Sequence, residues 1–460
     1  MPTLILLATL LILTVVGFFM GRSRAVASVS GHKRDLHSLP GYYGYYVAAW
    51  CGIPALAIYI VWTAFGPQVV EMMLVSGLSA EAQNLPPARL GLLINDIRNL
   101  ALGNIVSREV GPELQAAADR YNSLHQISYI ALFVVAACLS IAGLTYGQQQ
   151  ITPDLRARNK VERIVRIFLI VSSTIAILTT IGIVMSLLFE SIRFFNKVPP
   201  LEFLFGLEWS PQTALRADQV GSSGRFGAVP LFVGTMLISL IAMCVAAPVG
   251  LLSAIYMAEY AHRKFRSVAK PLLEILAGIP TVVYGFFAAL TVAPLFRSTG
   301  AQVGFEISSE SALAAGVVMG IMIIPFVSSL ADDVISAVPQ AMREGSYGLG
   351  ATRSETIKRV IFPAALPGII GGLLLAVSRA IGETMIVVMA AGLAAKMTAN
   401  PFEAVTTVTV QIVTLLVGDQ EFDSAKTLAA FALGLVLFCV TLILNVIALH
   451  IVNKYREQYE

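Results

Sequence analysis

The sequence predicts an all-α, polytopic membrane protein with about nine transmembrane helices. Hydrophobic residues make up 57% of the 460 residues and charged residues only 13%, whereas an ordinary globular domain carries about 25% charged residues. At a mean hydropathy of +0.77, soluble domains would expose apolar surfaces to water, which excludes a soluble multidomain protein. The apolar residues also form runs of about 17 to 25, the length of helix that crosses a ~30 Å hydrocarbon core.

Nine runs of this kind occur along the chain. The first has no basic residue before it and is followed by Arg22 and Arg24, which is typical of a retained anchor and not of a cleaved signal peptide. It is therefore counted as a span. The nine predicted spans are Leu4–Met20, Gly44–Phe65, Tyr129–Gly147, Ile167–Phe189, Val229–Met257, Ile275–Phe296, Ala312–Ala331, Leu366–Gly392 and Ala429–Val452.

The distribution of basic residues predicts the direction of the spans. If the spans alternate, five loops share one side of the membrane and contain 19 of the 31 Lys and Arg residues. Loops rich in Lys and Arg stay in the cytoplasm. The N-terminus is therefore predicted to be periplasmic and the C-terminus cytoplasmic. The loops in question are 21–43, 148–166, 258–274, 332–365 and 453–460.

A change of composition near residue 150 predicts a domain boundary. Three consecutive glutamines, 148–150, lead into Pro153 and a run of basic residues that ends at Arg166. We expect residues 1–150 to form an N-terminal extension with three transmembrane helices and a periplasmic loop. Residues 151–460 then form a second domain with six spans.

The sequence gives no support for an enzyme or a metal site. The four cysteines each lie in an apolar run without a CxxC pair, and the five histidines have no ligand spacing. No GxxxxGK[ST], GxSxG or HExxH motif is present. We therefore expect no cofactor on this chain, and any ATP must be hydrolysed by a partner. The net charge of +3 is too small to indicate nucleic-acid binding.

The hydrophilic segment 337–368, on the predicted cytoplasmic side, has the pattern of a helix, a sharp turn and a second helix. Pro339 suits a first helical turn, Gly348 and Gly350 permit the turn, and the second helix is expected at Arg353–Phe362. Pro363 and Pro367 are expected to mark the return to the membrane. On these residues alone, an ordinary surface linker is an equally good interpretation.

The same segment resembles the EAA loop of ABC-importer permeases. Gly345-Ser346 stands where the general pattern has two alanines. The resemblance implies a type-1 permease core of six helices after residue 150 and a coupling helix that docks on a cytoplasmic ATPase. The residues that it assigns to this coupling loop are Glu344, Gly345, Ser346, Gly350, Ala351 and Pro363.

Two further stretches resemble the phosphate-specific permeases of the PstC type. They are LAGIPTVVYG at 276–285 and SRAIGETM at 378–385, with weaker agreement at Trp209-Ser210-Pro211. The resemblance covers about residues 160–455, so residues 1–150 are an extra membrane region. It implies a bacterial inner-membrane subunit that forms the pathway for inorganic phosphate.

The implied partners are a second, PstA-like permease, two PstB-like ATPase subunits that use ATP, and a periplasmic PstS-like phosphate-binding protein. Two alternatives to a phosphate permease remain open at this point. One is a permease for another oxyanion, sulfate or molybdate. The other is an ion-driven secondary transporter, which the lack of a detectable inverted repeat disfavours.

Arg379 and Glu383 are the candidate substrate-pathway residues, with Ser378 and Thr384 beside them. An arginine at the centre of a span costs about 2.5 to 3.5 kcal/mol on the insertion scale, so a partner or a function is expected. In a continuous helix the two charges would share one face and form an ion pair. Arg379 would then contact the oxyanion, while Glu383 would keep its binding weak. A purely structural ion pair is the alternative.

Three further charged residues lie at predicted span ends. They are Glu190, Asp332 and Asp333, which we expect to be solvated.

Overall fold

The structure is a computed structural model, which describes residues 2–29, 32–104, 111–213, 223–417 and 423–456. The predicted all-α class is confirmed. The helices in chain order are α1 (Pro2–Ala27), α2 (Pro40–Val75), α3 (Ala80–Gln83), α4 (Pro87–Ala101), α5 (Pro112–Gln149), α6 (Ala157–Phe195), α7 (Pro200–Phe205), α8 (Val229–Ile255), α9 (Arg263–Ala277), α10 (Thr281–Phe287), α11 (Ala293–Val303), α12 (Ala312–Ala337), α13 (Gln340–Gly348), α14 (Arg353–Thr356), α15 (Phe362–Ile381), α16 (Met385–Ala390), α17 (Val408–Leu416) and α18 (Ala425–Arg456).

Short irregular elements complete the description. A 3-10 turn covers Lys33–Asp35, and π turns extend α8 or join consecutive helices at Tyr256–Tyr260, Ala288–Val292 and Ile357–Ile361. One antiparallel hairpin, β1 (Trp209–Thr213) and β2 (Ser223–Phe226), pairs Trp209 with Phe226. The sequence pattern did not indicate this hairpin.

Nine helices among the described residues are long and apolar enough to cross a membrane, which confirms the predicted number. The observed spans are Thr3–Ala27, Pro40–Val75, Pro112–Gln149, Ala157–Phe195, Val229–Tyr260, Thr281–Val303, Ala312–Ala337, Arg353–Ile381 and Ala425–Lys454.

Seven predicted spans lie within the longer observed helices, and two predicted boundaries lie outside them and were wrong. Span six begins at Thr281 and not at Ile275, because α9 ends at Ala277 and Pro280 is the N-cap of α10. Span eight ends at Ile381 and not at Gly392. In both places a glycine is the C-cap residue of the preceding helix, and other groups satisfy the free backbone atoms.

The chain divides into two compact units, Met1–Ile177 and Leu178–Glu460. In the first unit, α2 packs against α1 and α5, and α4 packs against α5. The buried Tyr43 hydroxyl lies 3.0 Å from the carbonyl oxygens of Pro153 and Leu155. This contact ties α2 to the segment before α6. The boundary predicted at residue 150 stays a prediction.

In the second unit, α8 and α12 form the central helix pair, and α15 packs against α8, α12 and α18. The facing residues of α8 and α12 are small or apolar, including Ala242, Ala246, Ala315 and Met319, all fully buried. A second core cluster gathers Trp209, Phe226 and Phe203 around α17 and α18. A third lies where α12 ends, next to the π turn that joins α14 to α15. The first cluster, which includes Ala380 and Ile386, and the third, which includes Ile357, support the two candidate sites described below.

Candidate functional site

A break in the helical backbone follows Ile381, inside the predicted span eight. Gly382 is the C-cap of α15, and α16 begins at Met385. The freed backbone groups find partners: Thr384 Oγ1 donates to Gly382 O at 3.3 Å, and Glu383 Oε1 accepts from Met385 N at 3.2 Å. Broken helices at membrane depth are tolerated only where such groups are satisfied by protein or line a cavity. Glu383 and Thr384 therefore serve as local caps.

The predicted ion pair between Arg379 and Glu383 is absent from the described part of the chain. The break after Ile381 removes the helical geometry that would bring the two side chains onto one face, and the Glu383 carboxylate turns to Met385 N. The Arg379 guanidinium lies instead 4.0 Å from Met322 Sδ and 5.5 Å from the centre of the Phe326 ring. The i, i+4 geometry was thus wrong, while the role of these residues in a pathway stays a prediction.

Arg379 is an exposed cation on α15 in this chain, next to two weakly polar α12 side chains. Thioether sulfur and an aromatic face can hold a guanidinium without neutralising its charge. Ser378, Glu383 and Thr384 are half-buried around the same helix end. The structure therefore brings the four predicted pathway residues to one place, with the positive charge uncompensated by any ion pair that it describes.

The predicted coupling loop forms the expected helix, turn and helix. Pro339 is the N-cap of α13, and Ser346 on that helix is buried while Glu344 and Gly345 are exposed. Ser346 Oγ lies 2.9 Å from Thr356 Oγ1, which is also buried. This hydrogen bond joins α13 to α14, at the start of span eight.

Gly350 makes the sharp turn of this loop. Its φ is +83°, a conformation that costs an L-residue about 1 to 2 kcal/mol. Gly350 N bonds to Tyr347 O and Ala351 N to Ser346 O, the two bonds of a Schellman motif. Leu349, at the tip, is 91% exposed. The turn thus presents an apolar side chain to its surroundings, and Glu344, five residues earlier, is also exposed.

The sequence pattern had indicated that a helix ends just before Pro363. In the structure the helix continues through this residue. The helical backbone runs from Arg353 to Ile381 and widens into a π turn just before the proline, where Phe362 N bonds to Ile357 O. A proline ring clashes with the carbonyl four residues before it, and a wider turn relieves the clash. The coupling loop is therefore continuous with the helix that carries Arg379.

Arg343, on α13, is a largely buried residue that the sequence pattern did not indicate. Its Nη2 lies 3.0 Å from Glu259 Oε1 and donates to Ile335 O at 2.8 Å, and its Nη1 donates to Val338 O. The Arg343 and Glu259 side chains are only 12% and 7% exposed. Three elements meet here: Arg343 lies on α13, Glu259 lies in the π turn after α8, and Ile335 and Val338 lie at the end of α12. Sequence spacing carried no signal, since the two charges are 84 residues apart.

Asp332 was wrongly expected to be solvated. It is 1% exposed and binds Arg266 Nη2 at 2.9 Å and Lys270 Nζ at 2.8 Å. The hydrogen bond to Asp332 raises the pKa of Lys270, against the opposing effect of burial. Burial of this carboxylate is possible because two cations from α9 neutralise it. Asp333, beside it, is exposed as expected.

No group of three or more His, Cys, Asp or Glu residues in the described ranges could hold a metal ion.

Two family models match the chain. One, described as a phosphate ATP-binding cassette transporter, matches residues 7–179. The other, described as a binding-protein-dependent transport system inner membrane component, matches residues 246–457. The first match covers the region for which the sequence motifs had given no relatives.

Curated relatives match at about one-third identity. The probable ABC transporter permease protein YqgH of Bacillus subtilis is 34% identical, over 54% of this chain and 75% of the relative. The phosphate transport system permease protein PstC of Mesorhizobium japonicum is 33% identical, over 55% and 78%. PstC 1 of Mycobacterium tuberculosis is 34% identical, over 55% and 82%. Among solved structures, the inward-facing MetNI methionine ABC transporter aligns with 49% of this chain and 93% of its own, at 17% identity and a TM-score of 0.36.

Proposed function

This chain belongs to the family of phosphate transport system permeases that includes the PstC proteins, and we propose that it is the permease subunit of a phosphate ABC importer. It is a multi-pass membrane protein, with nine candidate spans among the residues that the structure describes. The observation that carries the assignment within the chain is the uncompensated guanidinium of Arg379 beside the helix break after Ile381.

The chemistry of this site suits a transported oxyanion. A guanidinium donates two parallel hydrogen bonds to phosphate, a geometry that Arg379 can offer to a transported oxyanion. Glu383 does not neutralise Arg379 here, so its carboxylate acts on the ligand by repulsion. Ser378 and Thr384 supply hydroxyl groups near the same point. Arg379 attracts the oxyanion and Glu383 repels it. The oxyanion then stays only briefly at the site, which conduction requires.

The energy of transport comes, in this proposal, from ATP hydrolysed by two PstB-like subunits, with no cofactor on this chain. Glu344, Gly345, Leu349 and Gly350 present the surface for their docking. A PstA-like permease completes the pathway, and a PstS-like binding protein delivers phosphate from the periplasm. The excess of Lys and Arg in the loops around α13 supports a cytoplasmic position for this surface in the inner membrane. The N-terminus is then periplasmic and the C-terminus cytoplasmic, the last residues, 457–460, lying outside the described part.

Membership of this family leaves the ion-driven secondary transporter without support. The names of the relatives favour phosphate over sulfate or molybdate. The test is ATP-dependent uptake by vesicles that contain the purified complex of this chain with its ATPase and binding protein. Labelled phosphate is expected to enter only with ATP, and excess sulfate should not compete. Uptake without the ATPase, or preferred uptake of sulfate or molybdate, would contradict the proposal.

A further inference from the structure

Thr409, on α17, hydrogen-bonds to the broken segment that contains Glu383. Its hydroxyl donates to Glu383 O at 2.9 Å, and its side chain is buried. The carbonyl of Glu383 lies in the break between α15 and α16. We infer that Thr409 is a positioning residue, which fixes the backbone at Glu383 and thereby the placement of the Glu383 carboxylate. This inference rests on the proposed role of Glu383 in the phosphate pathway.

The direction of the hydrogen bonds around Thr409 is determined. A carbonyl oxygen only accepts, so the single hydroxyl proton of Thr409 is committed to Glu383 O. Thr407 Oγ1 lies 3.0 Å from Thr409 Oγ1 and must therefore be the donor of that pair. Thr407 Oγ1 also accepts from Val410 N at 3.4 Å, as the N-cap of α17. Two successive hydrogen bonds, from Thr407 to Thr409 and from Thr409 to Glu383 O, therefore connect the N-cap of α17 to the helix break.

The start of α17 is itself held against α8. Val408 N donates to the buried Thr235 Oγ1 at 3.1 Å. On Gly234, a Cβ would lie only 2.1 Å from Thr406 O, so the close approach of α8 to this segment requires glycine. The helix that carries Thr409, the donor to Glu383 O, is therefore held in place by α8.

A second set of bonds holds the same helix on the side of the β1–β2 hairpin. Trp209 Nε1, which can only donate, lies 2.9 Å from Gln411 Oε1. This contact sets the orientation of the Gln411 amide, whose Nε2 donates to Thr406 Oγ1 at 3.1 Å and to Leu393 O at 3.3 Å. The amide is thus bonded at both ends, and Gln411 is buried.

A network of this kind is costly unless every member is bonded, because buried polar groups lose their bonds to water. Thr406, Thr407, Thr409 and Gln411 are all buried, beside the apolar clusters of the second unit. Apolar residues would pack this region more simply. What the polar residues add is a unique position for the backbone at Glu383.

The inference predicts a specific effect on the rate of transport. Without the Thr409 hydroxyl, Glu383 O loses its partner and the broken segment can shift. The maximal rate of phosphate uptake per assembled complex should fall about tenfold, the factor that corresponds to the loss of one hydrogen bond. The half-saturating phosphate concentration should stay unchanged, because capture of phosphate belongs to the binding protein.

The experiment measures initial phosphate uptake against inorganic phosphate concentration for the reconstituted complex, normalised to the assembled amount. Thr409→Val removes the hydroxyl at nearly constant shape, Thr409→Ala does so with less bulk, and Thr409→Ser restores the donor. Thr441→Val is the matched control, since the Thr441 hydroxyl bonds to carbonyls of its own helix. We expect low maximal rates for the valine and alanine variants, and nearly wild-type rates for the serine and Thr441 variants.

Glu383→Gln separates the two hypotheses. If this variant transports normally, Glu383 has no pathway role, and the proposed site fails together with the inference. If Glu383→Gln is impaired but Thr409→Val and Thr409→Ala transport at the wild-type rate per complex, only the positioning role of Thr409 is overturned. Equal loss in the serine and valine variants would likewise overturn it.

Discussion

At the scale of single residues, the end of α15 at Ile381 separates Arg379 from Glu383. With a continuous helix, Arg379 and Glu383 would have neutralised each other. Because α15 ends at Ile381, the Glu383 carboxylate caps Met385 N, and Arg379 rests against Met322 and Phe326. Arg379 therefore keeps a positive charge outside any described ion pair, and in the proposed pathway this charge would attract an oxyanion more strongly than an ion pair would.

Phosphate uptake is expected to depend on both the charge of Arg379 and the two parallel N–H donors of its guanidinium. Arg379→Ala should lower phosphate uptake about 10- to 100-fold, as for loss of a hydrogen bond to a charged group. Arg379→Lys keeps the charge but not the bidentate geometry and should also be impaired. Because no described ion pair is broken, assembly of the complex should be retained. The measurement is uptake per complex, with the exposed Arg297→Ala as control, and wild-type uptake by Arg379→Ala would exclude this residue from the pathway.

Gly350 and Gly348 provide a matched pair in one turn. A Cβ on either residue would meet nothing within 4 Å, but only Gly350 has a positive φ. Gly350→Ala should therefore destabilise the loop by about 1 to 2 kcal/mol. Gly348→Ala, at the end of α13, should be neutral or stabilising by up to about 1 kcal/mol. Thermal unfolding of the purified complex compares them, and ATP turnover per phosphate transported should rise only in the Gly350 variant. Equal effects of the two substitutions would show that the backbone conformation is unimportant.

At the scale of elements, the coupling loop is joined to two groups of helices. Arg343 binds Glu259 after α8 and two carbonyls at the end of α12, while Ser346 bonds to Thr356 in α14. A displacement of α13 therefore acts on α8, α12 and the helix that carries Arg379. This arrangement gives the loop a direct mechanical connection to the helix break.

Removal of the Arg343 side chain should destabilise this junction strongly. Arg343→Ala leaves Glu259 as a buried, unpaired charge, at a cost of about 3 to 5 kcal/mol. Arg343→Lys can keep the ion pair but not both carbonyl bonds, so an intermediate loss is expected. The unfolding midpoint of the complex measures both, with the exposed Lys358→Ala as control. If Arg343→Ala unfolds at the wild-type temperature, the pair does not stabilise the junction.

Local patterns predicted the elements that depend on nearby residues. Apolar runs placed the nine spans, and Gly350 indicated the turn after α13. The break after Ile381 was missed because its stabilising partners include Thr409, 26 residues away from Glu383. Asp332 was assigned to solvent because its partners Arg266 and Lys270 lie 66 and 62 residues before it. Interactions between distant residues decide these features, and one sequence does not reveal them.

At the scale of the whole molecule, the N-terminal region has its own family match and its own compact unit. The match ends at residue 179 and the unit at Ile177, both within α6. The apolar residues of α6 between 167 and 178 are exposed in this chain. Removal of the helices before α6 would therefore uncover little additional surface on α6 itself.

Deletion of residues 2–150 is therefore expected to leave a complex that assembles and retains part of its phosphate uptake. The six later spans keep their own core around α8 and α12, whose buried residues all lie beyond residue 230. The deletion also removes Tyr43, whose hydroxyl donates to the carbonyls of Pro153 and Leu155. Tyr43→Phe in the full chain is the control for these hydrogen bonds and should transport normally. Co-purification with the ATPase and uptake per complex are the measurements, and a truncated chain that no longer binds the ATPase would show that the N-terminal unit is an integral part of the transporter.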